Sequence, residues 1–228
     1  MATTLPALGF IGGTGPEGQG LALRFAQAGH AVAIGSRSRE RAQAAADAIN
    51  QKLGGSLAGG LENAEAAEAS AIVFLVVPYE GQRDTLAALE GPIGDRILVS
   101  AVAPLTFESG RPKAVLVPGG SAALEAQAQL PRARVTAAFH HLSARHLAAI
   151  DHPLEGDVLV CGDDAAAKRA TMGLVSEVAE LRPVDAGGLE YAWQLEALTA
   201  LILGINRRYK VNAGVRLVGL SQAPIDGG

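Results

Sequence analysis

A glycine-rich turn between two short apolar runs constrains this chain more than any other feature. The first apolar run covers residues 8–11, and a second covers residues 31–34. The glycines between them have the spacing GxGxxG, at Gly13, Gly15 and Gly18, and a periodic apolar segment that ends at Gly29 follows them. This order predicts a buried strand, a tight turn, an amphipathic helix and a second strand.

In that context each glycine of the motif has a mechanical role. One allows the tight turn, one lets the backbone approach a pyrophosphate, and one lets the helix pack closely on the strand. The phosphates then rest on the N-terminus of the helix, where backbone N–H groups and the helix dipole favour an anion. The stretch therefore predicts a dinucleotide-binding unit, with a glycine-rich loop of some other α/β protein as the alternative.

The residues after the second strand indicate which dinucleotide is bound. A site for NAD places an Asp or Glu here, which accepts a hydrogen bond from the ribose 2′-hydroxyl. This chain instead has Ser36, Arg37 and, one helical turn on, Arg41, and no carboxylate lies between the second strand and Glu40. Serine and arginine side chains donate hydrogen bonds to a phosphate. We therefore expect NADP(H) rather than NAD(H).

The composition argues against several other classes of protein. A formal net charge of −4 gives no general attraction to nucleic acid or to an anionic membrane. Cys161 is the only cysteine, so no disulfide can form within the chain. The first residues lack the basic segment of a signal peptide, and the longest apolar stretch, 195–205, contains Glu196 and is too short to span a bilayer. We expect a cytoplasmic protein.

Further apolar runs predict the remainder of the sheet. We expect strands at 71–77, 97–102, 135–139, 158–160 and 181–184, a loop at 106–120 and a last helix at 191–209. Together they predict an α/β fold, a Rossmann-like doubly wound and mostly parallel sheet with a C-terminal helical extension. The expected units are an NADP-binding domain at 1–183, a helical segment at 184–220 that closes the site, and a disordered tail at 221–228.

Ligands of such a sheet lie beyond the carboxyl ends of its strands, so the residues found there are candidate contacts. Val77 and Pro78 should border the dinucleotide, unless Pro78 merely ends its strand. Ala103 follows the next strand and is a candidate for the wall behind a nicotinamide. His140 follows the strand at 135–139 and has either a substrate-contacting role or that of a satisfied interior histidine.

Two clusters of polar residues invite other interpretations. His140, His141 and His146 lie close in sequence, but no Cys or carboxylate accompanies them at ligand spacing, so we expect no metal site. Asp163 and Asp164 are adjacent carboxylates that suggest acid–base chemistry. They directly precede a predicted helix, however, and an N-cap aspartate is the favoured interpretation.

Five runs of the chain resemble, in order and spacing, the NADPH-dependent coenzyme F420 reductase family (F420H2:NADP oxidoreductases). They are IGGTGPEGQGLALRFAQAGHAVAIGSRSRERA, AAEASAIVFLVVPYE, AAFHHL, VLVCGDD and LRPVDAGGLEYAWQLEALTALILGI. The pieces CGDD and LRPVDAG are more specific than the nucleotide fingerprint. The resemblance implies direct hydride transfer between nicotinamide C4 and C5 of the deazaflavin, which needs proximity, alignment and exclusion of water more than a catalytic base.

The resemblance also implies which residues contact the two coenzymes. For NADP(H) they are Thr14, Gly15, Pro16 and Glu17 in the turn, Ser36, Arg37 and Arg41 at the 2′-phosphate, and Val77, Ala103 and Ala144 toward the nicotinamide. For the deazaflavin they are His140, Leu142 and Thr199, whereas Trp193 stands where some relatives carry a basic residue.

The last helix carries more apolar residues than one packing face requires, so we also expect a homodimer.

Two alternatives remain open from the sequence. An imine or hydroxyacid reductase shares the opening fingerprint, but such enzymes usually append a long helical domain, and only a short segment follows Leu181 here. A non-catalytic NADP-sensing module is the other alternative. A DNA-binding version of it would need a basic helix or arm, and none is evident.

Overall fold

The computed structural model of the chain describes residues 5–220, so the expected tail at 221–228 lies outside the described residues. The strands are β1 (Leu8–Ile11), β2 (Val32–Ser36), β3 (Ala58–Glu62), β4 (Ile72–Leu75), β5 (Ile97–Ser100), β6 (Leu105–Glu108), β7 (Arg111–Ala114), β8 (Arg134–Ala137), β9 (Gly156–Gly162) and β10 (Leu181–Asp185). The helices are α1 (Pro16–Gln27), α2 (Arg39–Leu53), α3 (Asn63–Glu68), α4 (Tyr79–Ala87), α5 (Glu90–Ile93), α6 (Ala122–Gln129), α7 (Ala144–Ala148), α8 (Ala165–Glu177) and α9 (Ala192–Tyr209).

Eight of these strands form one sheet in the order β10–β9–β8–β5–β4–β1–β2–β3. From β8 to β3 in that order all neighbours are parallel, whereas β9 pairs antiparallel with β8 and parallel with β10. This arrangement confirms the predicted Rossmann-like, mostly parallel sheet with a long C-terminal helix. We call the end at which the parallel strands β1, β2, β4, β5 and β8 finish the carboxyl end of the sheet. Because β9 runs the other way, its last residues lie at the opposite end.

A cluster of four phenylalanines fixes the elements that lead to the carboxyl end. Phe10 and Phe74 stack with ring centroids 4.7 Å apart, and Phe25 and Phe139 pack around them with centroids 6.0 Å apart. All four side chains are fully buried. Large rings bury much apolar area and prefer such stacked or tilted geometries. The cluster therefore joins β1, β4, α1 and the chain just beyond β8 into one packed unit.

Helix ends follow local signals that the sequence contains. Ser38 caps α2, its Oγ accepting a hydrogen bond from the N–H of Arg41 at 3.3 Å, and Gly54 ends that helix with a φ of 64°. Asp164 caps α8 and accepts from the N–H of Ala167 at 2.7 Å. The N-cap interpretation of the two adjacent carboxylates is therefore confirmed for the second of them.

Two expectations about secondary structure are wrong. The segment 106–120 is not a loop throughout, because β6 and β7 form an antiparallel hairpin within it that packs against α9. The strand β3 was not expected, because it contains two glycines. A Cβ on Gly60 would lie 2.2 Å from the backbone nitrogen of Gln43, so α2 packs directly on the strand only where a side chain is missing.

The C-terminal segment folds back over the sheet. The helix α9 packs against α6 and β7, and the chain after it is tied to β9, where the buried carboxylate of Asp157 accepts from Arg182 at 2.8 and 2.7 Å and from the N–H of Leu217 at 2.6 Å. Within residues 5–220 no helix has the length and apolar character needed to cross a membrane.

Candidate functional site

The glycine turn after β1 is held by backbone hydrogen bonds and leaves donors open. The N–H of Gly13 donates to the carbonyl oxygens of Phe10 and Gly35, each at 3.0 Å. The residue before α1 is a glycine and offers no side-chain cap, so the N–H groups of Glu17 and Gly18 have no acceptor within the helix. Open N–H groups at a helix N-terminus form a site for an anion such as a phosphate.

Two glycines of this turn differ in their surroundings. A Cβ on Gly18 would lie 2.7 Å from the Cα of Gly13 and 2.9 Å from Cγ2 of Val76, so this glycine serves close packing. A Cβ on Gly15 would have no heavy atom nearer than 3.9 Å. The space over Gly15 is therefore open in the described part of the chain, as the approach of a pyrophosphate would require.

The end of β2 presents two guanidinium groups beside a hydroxyl. Ser36 is buried, whereas Arg37 and Arg41 are exposed. Among residues 5–220 neither of these two arginines forms an ion pair, but the neighbouring Arg39 pairs with Glu65. Arg39 is thus neutralised within the protein, and Arg37 and Arg41 are the cations that an anionic ligand would meet here.

The ends of β4 and β5 supply apolar side chains at the same end of the sheet. Val77 lies against the glycine turn, since a Cβ on Gly12 would be 2.5 Å from its Cγ1. Pro78 is exposed and precedes α4, and Ala103 is half-buried beyond β5. The structure thus places Val77 beside the glycine turn, and its contact with a dinucleotide stays a prediction.

Buried polar atoms without hydrogen-bond partners mark the carboxyl end of the sheet. Within residues 5–220 they are Oε1 of Glu17, Oε1 of Gln82, Oγ of Ser100 and both ring nitrogens of His140. Glu17 and Gln82 lie near the starts of α1 and α4, Ser100 ends β5, and His140 follows β8. Since buried polar groups are normally paired, this gathering indicates the place where a polar ligand completes the hydrogen bonding.

His140 is held as a neutral imidazole. It is 4% exposed, and burial lowers its pKa to about 3, with a smaller contribution from the neighbouring His141. Phe139 before it has a φ of 70°, a strained value for a bulky residue, which turns the chain out of the line of β8. A neutral imidazole offers one donor and one acceptor, so His140 can hydrogen-bond to a ligand but does not carry a proton to it near pH 7.

The helix α9 is anchored over the site at two points. The hydroxyl of Thr199 donates to the carbonyl oxygen of His140 at 3.0 Å. Glu196 is 2% exposed, and its carboxylate accepts from the N–H groups of Ala122 and Ala123 at 2.9 and 3.0 Å. Burial raises the pKa of Glu196 to about 7, against the opposing effect of these two donors. The anchors bring Thr199 to His140, two of the residues expected near the deazaflavin.

The loop after β8 carries the remaining expected contacts. Leu142 is half-buried in this loop, and Ala144 begins α7. Pro16 and Ala144 line one open groove of about 520 Å³ between α1, α2 and α7. Two residues expected to contact the nucleotide are thereby placed around a shared space, while Trp193 is exposed at the start of α9.

The histidine cluster forms no metal centre in the part of the chain that is described. No group of three or more His, Cys, Asp or Glu residues is suitably placed there for a metal ion. His141 instead donates from Nε2 to the carbonyl oxygen of Asp157 at 2.8 Å, and His146 is exposed.

Three residues of the site were missed by the sequence interpretation. Gln82 was not singled out, and Ser100 was noted only as part of a predicted strand, yet within residues 5–220 each has a buried polar atom without a partner. Glu196 was noted as a charge within an apolar run and used only to argue against a membrane span. A carboxylate within such a run was itself a signal, since a buried charge requires partners.

Comparison with known proteins agrees with the family resemblance. The family described as NADP oxidoreductase, coenzyme F420-dependent, matches residues 7–104. The F420-dependent NADP reductase of Methanocaldococcus jannaschii is 36% identical over 220 residues, covering 93% of this chain and 98% of that protein.

Solved structures support the same fold. A crystal structure from Arthrobacter sp. FB24, of a protein proposed to be an F420-dependent NADP reductase, superposes with a TM-score of 0.79 at 23% identity, over 95% of this chain and 100% of that one. An imine reductase from Bacillus cereus has a TM-score of 0.60 at 18% identity, over 90% of this chain but only 63% of its own. The imine reductase thus shares the fold but extends well beyond it.

Proposed function

The chain belongs to the F420-dependent NADP reductase family, and we propose that the carboxyl end of its sheet is where a hydride passes directly between NADP(H) and the deazaflavin coenzyme F420. The protein is accordingly an oxidoreductase whose coenzymes are NADP(H) and F420. The observation that carries the placement is the gathering of buried, unpaired polar atoms at this end of the sheet.

The turn after β1 and the end of β2 fit NADP(H). Open N–H groups at the start of α1 suit a pyrophosphate, and two guanidinium groups beside Ser36, which form no ion pair within residues 5–220, suit a 2′-phosphate. We assign the nucleotide to Gly13, Thr14, Gly15, Pro16, Glu17 and Gly18 in the turn, to Ser36, Arg37 and Arg41 at the phosphate, and to Val77, Pro78, Ala103 and Ala144 toward the nicotinamide.

His140, Leu142 and Thr199 are assigned to the deazaflavin, and the segment 184–220, which contains α9, closes the site over them. When bound, the coenzymes supply the hydride chemistry, between nicotinamide C4 and deazaflavin C5. The protein orients the rings and excludes water. A neutral His140 would donate a hydrogen bond to the deazaflavin ring, and with a pKa of about 3 it is not itself a source of protons near pH 7.

Replacing His140 by alanine tests the deazaflavin side of the site. We expect kcat/KM for F420 to fall about tenfold, the effect of one lost hydrogen bond at the upper end of its range, while the Kd of NADPH changes less than about twofold. Steady-state kinetics and fluorescence titration measure the two quantities. His140→Asn, which keeps a hydrogen-bond donor, is the control and should lose less. Unchanged constants for both coenzymes would remove His140 from the site.

Mixing the purified protein with NADPH and oxidised F420 tests the function itself. We expect the visible absorbance of the deazaflavin to bleach as the hydride reaches C5. An imine or hydroxyacid reductase would instead oxidise NADPH only with a cyclic imine or a ketoacid. A sensing module would bind NADPH and leave the absorbance unchanged.

We also propose that the protein forms a homodimer through the outer face of α9. Leu201 and Tyr209, two large apolar side chains on this face, are 59% and 69% exposed. Leu201→Glu should shift the mass measured by light scattering from two chains to one. Leu57→Glu, at an exposed apolar residue just before β3, is the control and should leave the dimer intact. A monomeric parent protein would contradict the proposal.

A further inference from the structure

Glu17 lies at the point where the nucleotide half of the site meets the loop after β8. It stands three residues before Gly20, whose ideal Cβ position is 2.6 Å from the Cβ of Leu147 in α7. It also stands seven residues before Arg24, which is 4% exposed and donates to the carbonyl oxygen of Leu147 at 2.9 Å. Positions separated by three and seven residues share one face of a helix. Glu17 is therefore on the face of α1 turned toward α7, at the end nearest Ala144.

The carboxyl group of Glu17 has no partner in the described part of the chain. The residue is half-buried, but its Oε1 is fully buried and accepts no hydrogen bond. Burial alone raises the pKa of this carboxyl to about 8. A group that remains unpaired in the protein by itself and lies in the first turn of a coenzyme-binding helix is suited to meet the coenzyme.

Charged groups on the elements packed around Glu17 are engaged elsewhere or exposed. On α1, Arg24 lies nearly two turns away and donates to four carbonyl oxygens of α7 and the loop after it. On α7, Arg145 and His146 are exposed. In the loop after β8, His140 is neutral and His141 is bound to a backbone carbonyl. Among residues 5–220 Glu17 forms no ion pair.

A pyrophosphate at this turn would be repelled by an ionised carboxylate but not by a carboxylic acid. We propose that Glu17 binds the nicotinamide half of NADP(H) through its neutral carboxyl group, which donates a hydrogen bond, so that ionisation of this group weakens nucleotide binding. The inference rests on the proposed function, because it requires the nucleotide to lie along the start of α1. It makes Glu17 a nucleotide-binding residue and a source of pH dependence.

Fluorescence titration of NADPH at about pH 7 and about pH 9 tests the proposal. If the ionised form does not bind, the Kd of the parent protein should be roughly tenfold higher at the upper pH, one unit above the pKa of the carboxyl. Glu17→Gln keeps a hydrogen-bond donor that does not titrate, so its Kd should change less than about twofold across this range. The probe 2′,5′-ADP keeps the 5′-phosphate but lacks the nicotinamide half, so its Kd for the parent protein should rise clearly less than that of NADPH between the two pH values.

The outcomes separate this inference from the proposed function. NADPH that fails to bind at any pH would overturn the proposed function. NADPH that binds equally at both pH values, or a Gln variant with the same loss as the parent, would overturn the role of Glu17 alone. An equal loss for 2′,5′-ADP would place the titrating group elsewhere.

Thermal melting is the control experiment for the folding of the Glu17→Gln variant. Folding raises the pKa of the Glu17 carboxyl to about 8. The folded state therefore loses stability as the pH rises from the ordinary pKa of a glutamate toward 8. Glu17→Gln removes that loss and should melt no lower than the parent at about pH 9.

Discussion

Gly18→Ala should lower kcat/KM for NADPH on the order of a hundredfold and destabilise the free protein by roughly 1–3 kcal/mol. The added methyl would lie 2.7 Å from a backbone atom of Gly13 and 2.9 Å from Val76, and neither neighbour is the end of a flexible side chain. To relieve these close contacts, α1 must move away from the turn. This movement displaces the N–H groups that we expect to bind the phosphates. Melting temperature and steady-state kinetics measure the two effects.

Gly15→Ala, three residues earlier in the same glycine motif, is the matched control. Its φ is −75°, and an added methyl would meet nothing nearer than 3.9 Å, so the free protein should melt at an unchanged temperature. NADPH affinity should nevertheless fall, because the methyl occupies the space through which a pyrophosphate approaches the backbone. If both variants lost stability alike, the two glycines would not have the separate roles described above.

Arg37→Ala should raise the KM for NADPH roughly tenfold to a hundredfold and leave the KM for NADH nearly unchanged. A hydrogen bond to a charged group contributes about 1.5–3 kcal/mol, and only NADPH carries the 2′-phosphate that receives it. Steady-state kinetics with both nucleotides and a fixed concentration of F420 measures the difference.

Arg39→Ala controls for the loss of a positive charge in the same loop. Arg39 pairs with Glu65 on the surface, an arrangement that contributes at most about 1 kcal/mol, so its removal should change neither KM more than about twofold. Equal effects of the Arg37 change on NADPH and NADH would mean that this guanidinium does not contact the 2′-phosphate.

The parts of the fold that the sequence predicts correctly are those in which local signals and tertiary packing agree. The strands β1, β4 and β5 lie in predicted apolar runs, and Asp164 is the favourable cap expected from the sequence. In β3 these signals disagree, because glycine favours a loop while the close approach of α2 requires Gly60. The predicted strand through Phe139 ends early at β8, since a positive φ at a phenylalanine cannot be read from residue type.

The residues of the candidate site likewise divide into those with a local sequence signal and those that only the tertiary structure identifies. The glycine turn and the arginines after β2 have fixed spacing along the chain, so the sequence alone identifies them. Gln82 and Ser100 are identified only once burial and missing partners are known. Glu196 depends on residues far from it in sequence, the N–H groups of Ala122 and Ala123, and distant pairings of this kind have no periodic pattern.

The reversal of direction between β8 and β9 bears on how this protein could be redesigned. The CGDD run ends β9 at the opposite end of the sheet from the proposed coenzyme site, where Asp163 accepts from the N–H of Leu189 at 2.7 Å and Asp164 caps a helix. This run, which is more specific to the family than the nucleotide fingerprint, therefore stabilises the scaffold. A mutant library aimed at new coenzyme specificity can keep the CGDD run unchanged and vary Arg37, Ser100 and Leu142 instead.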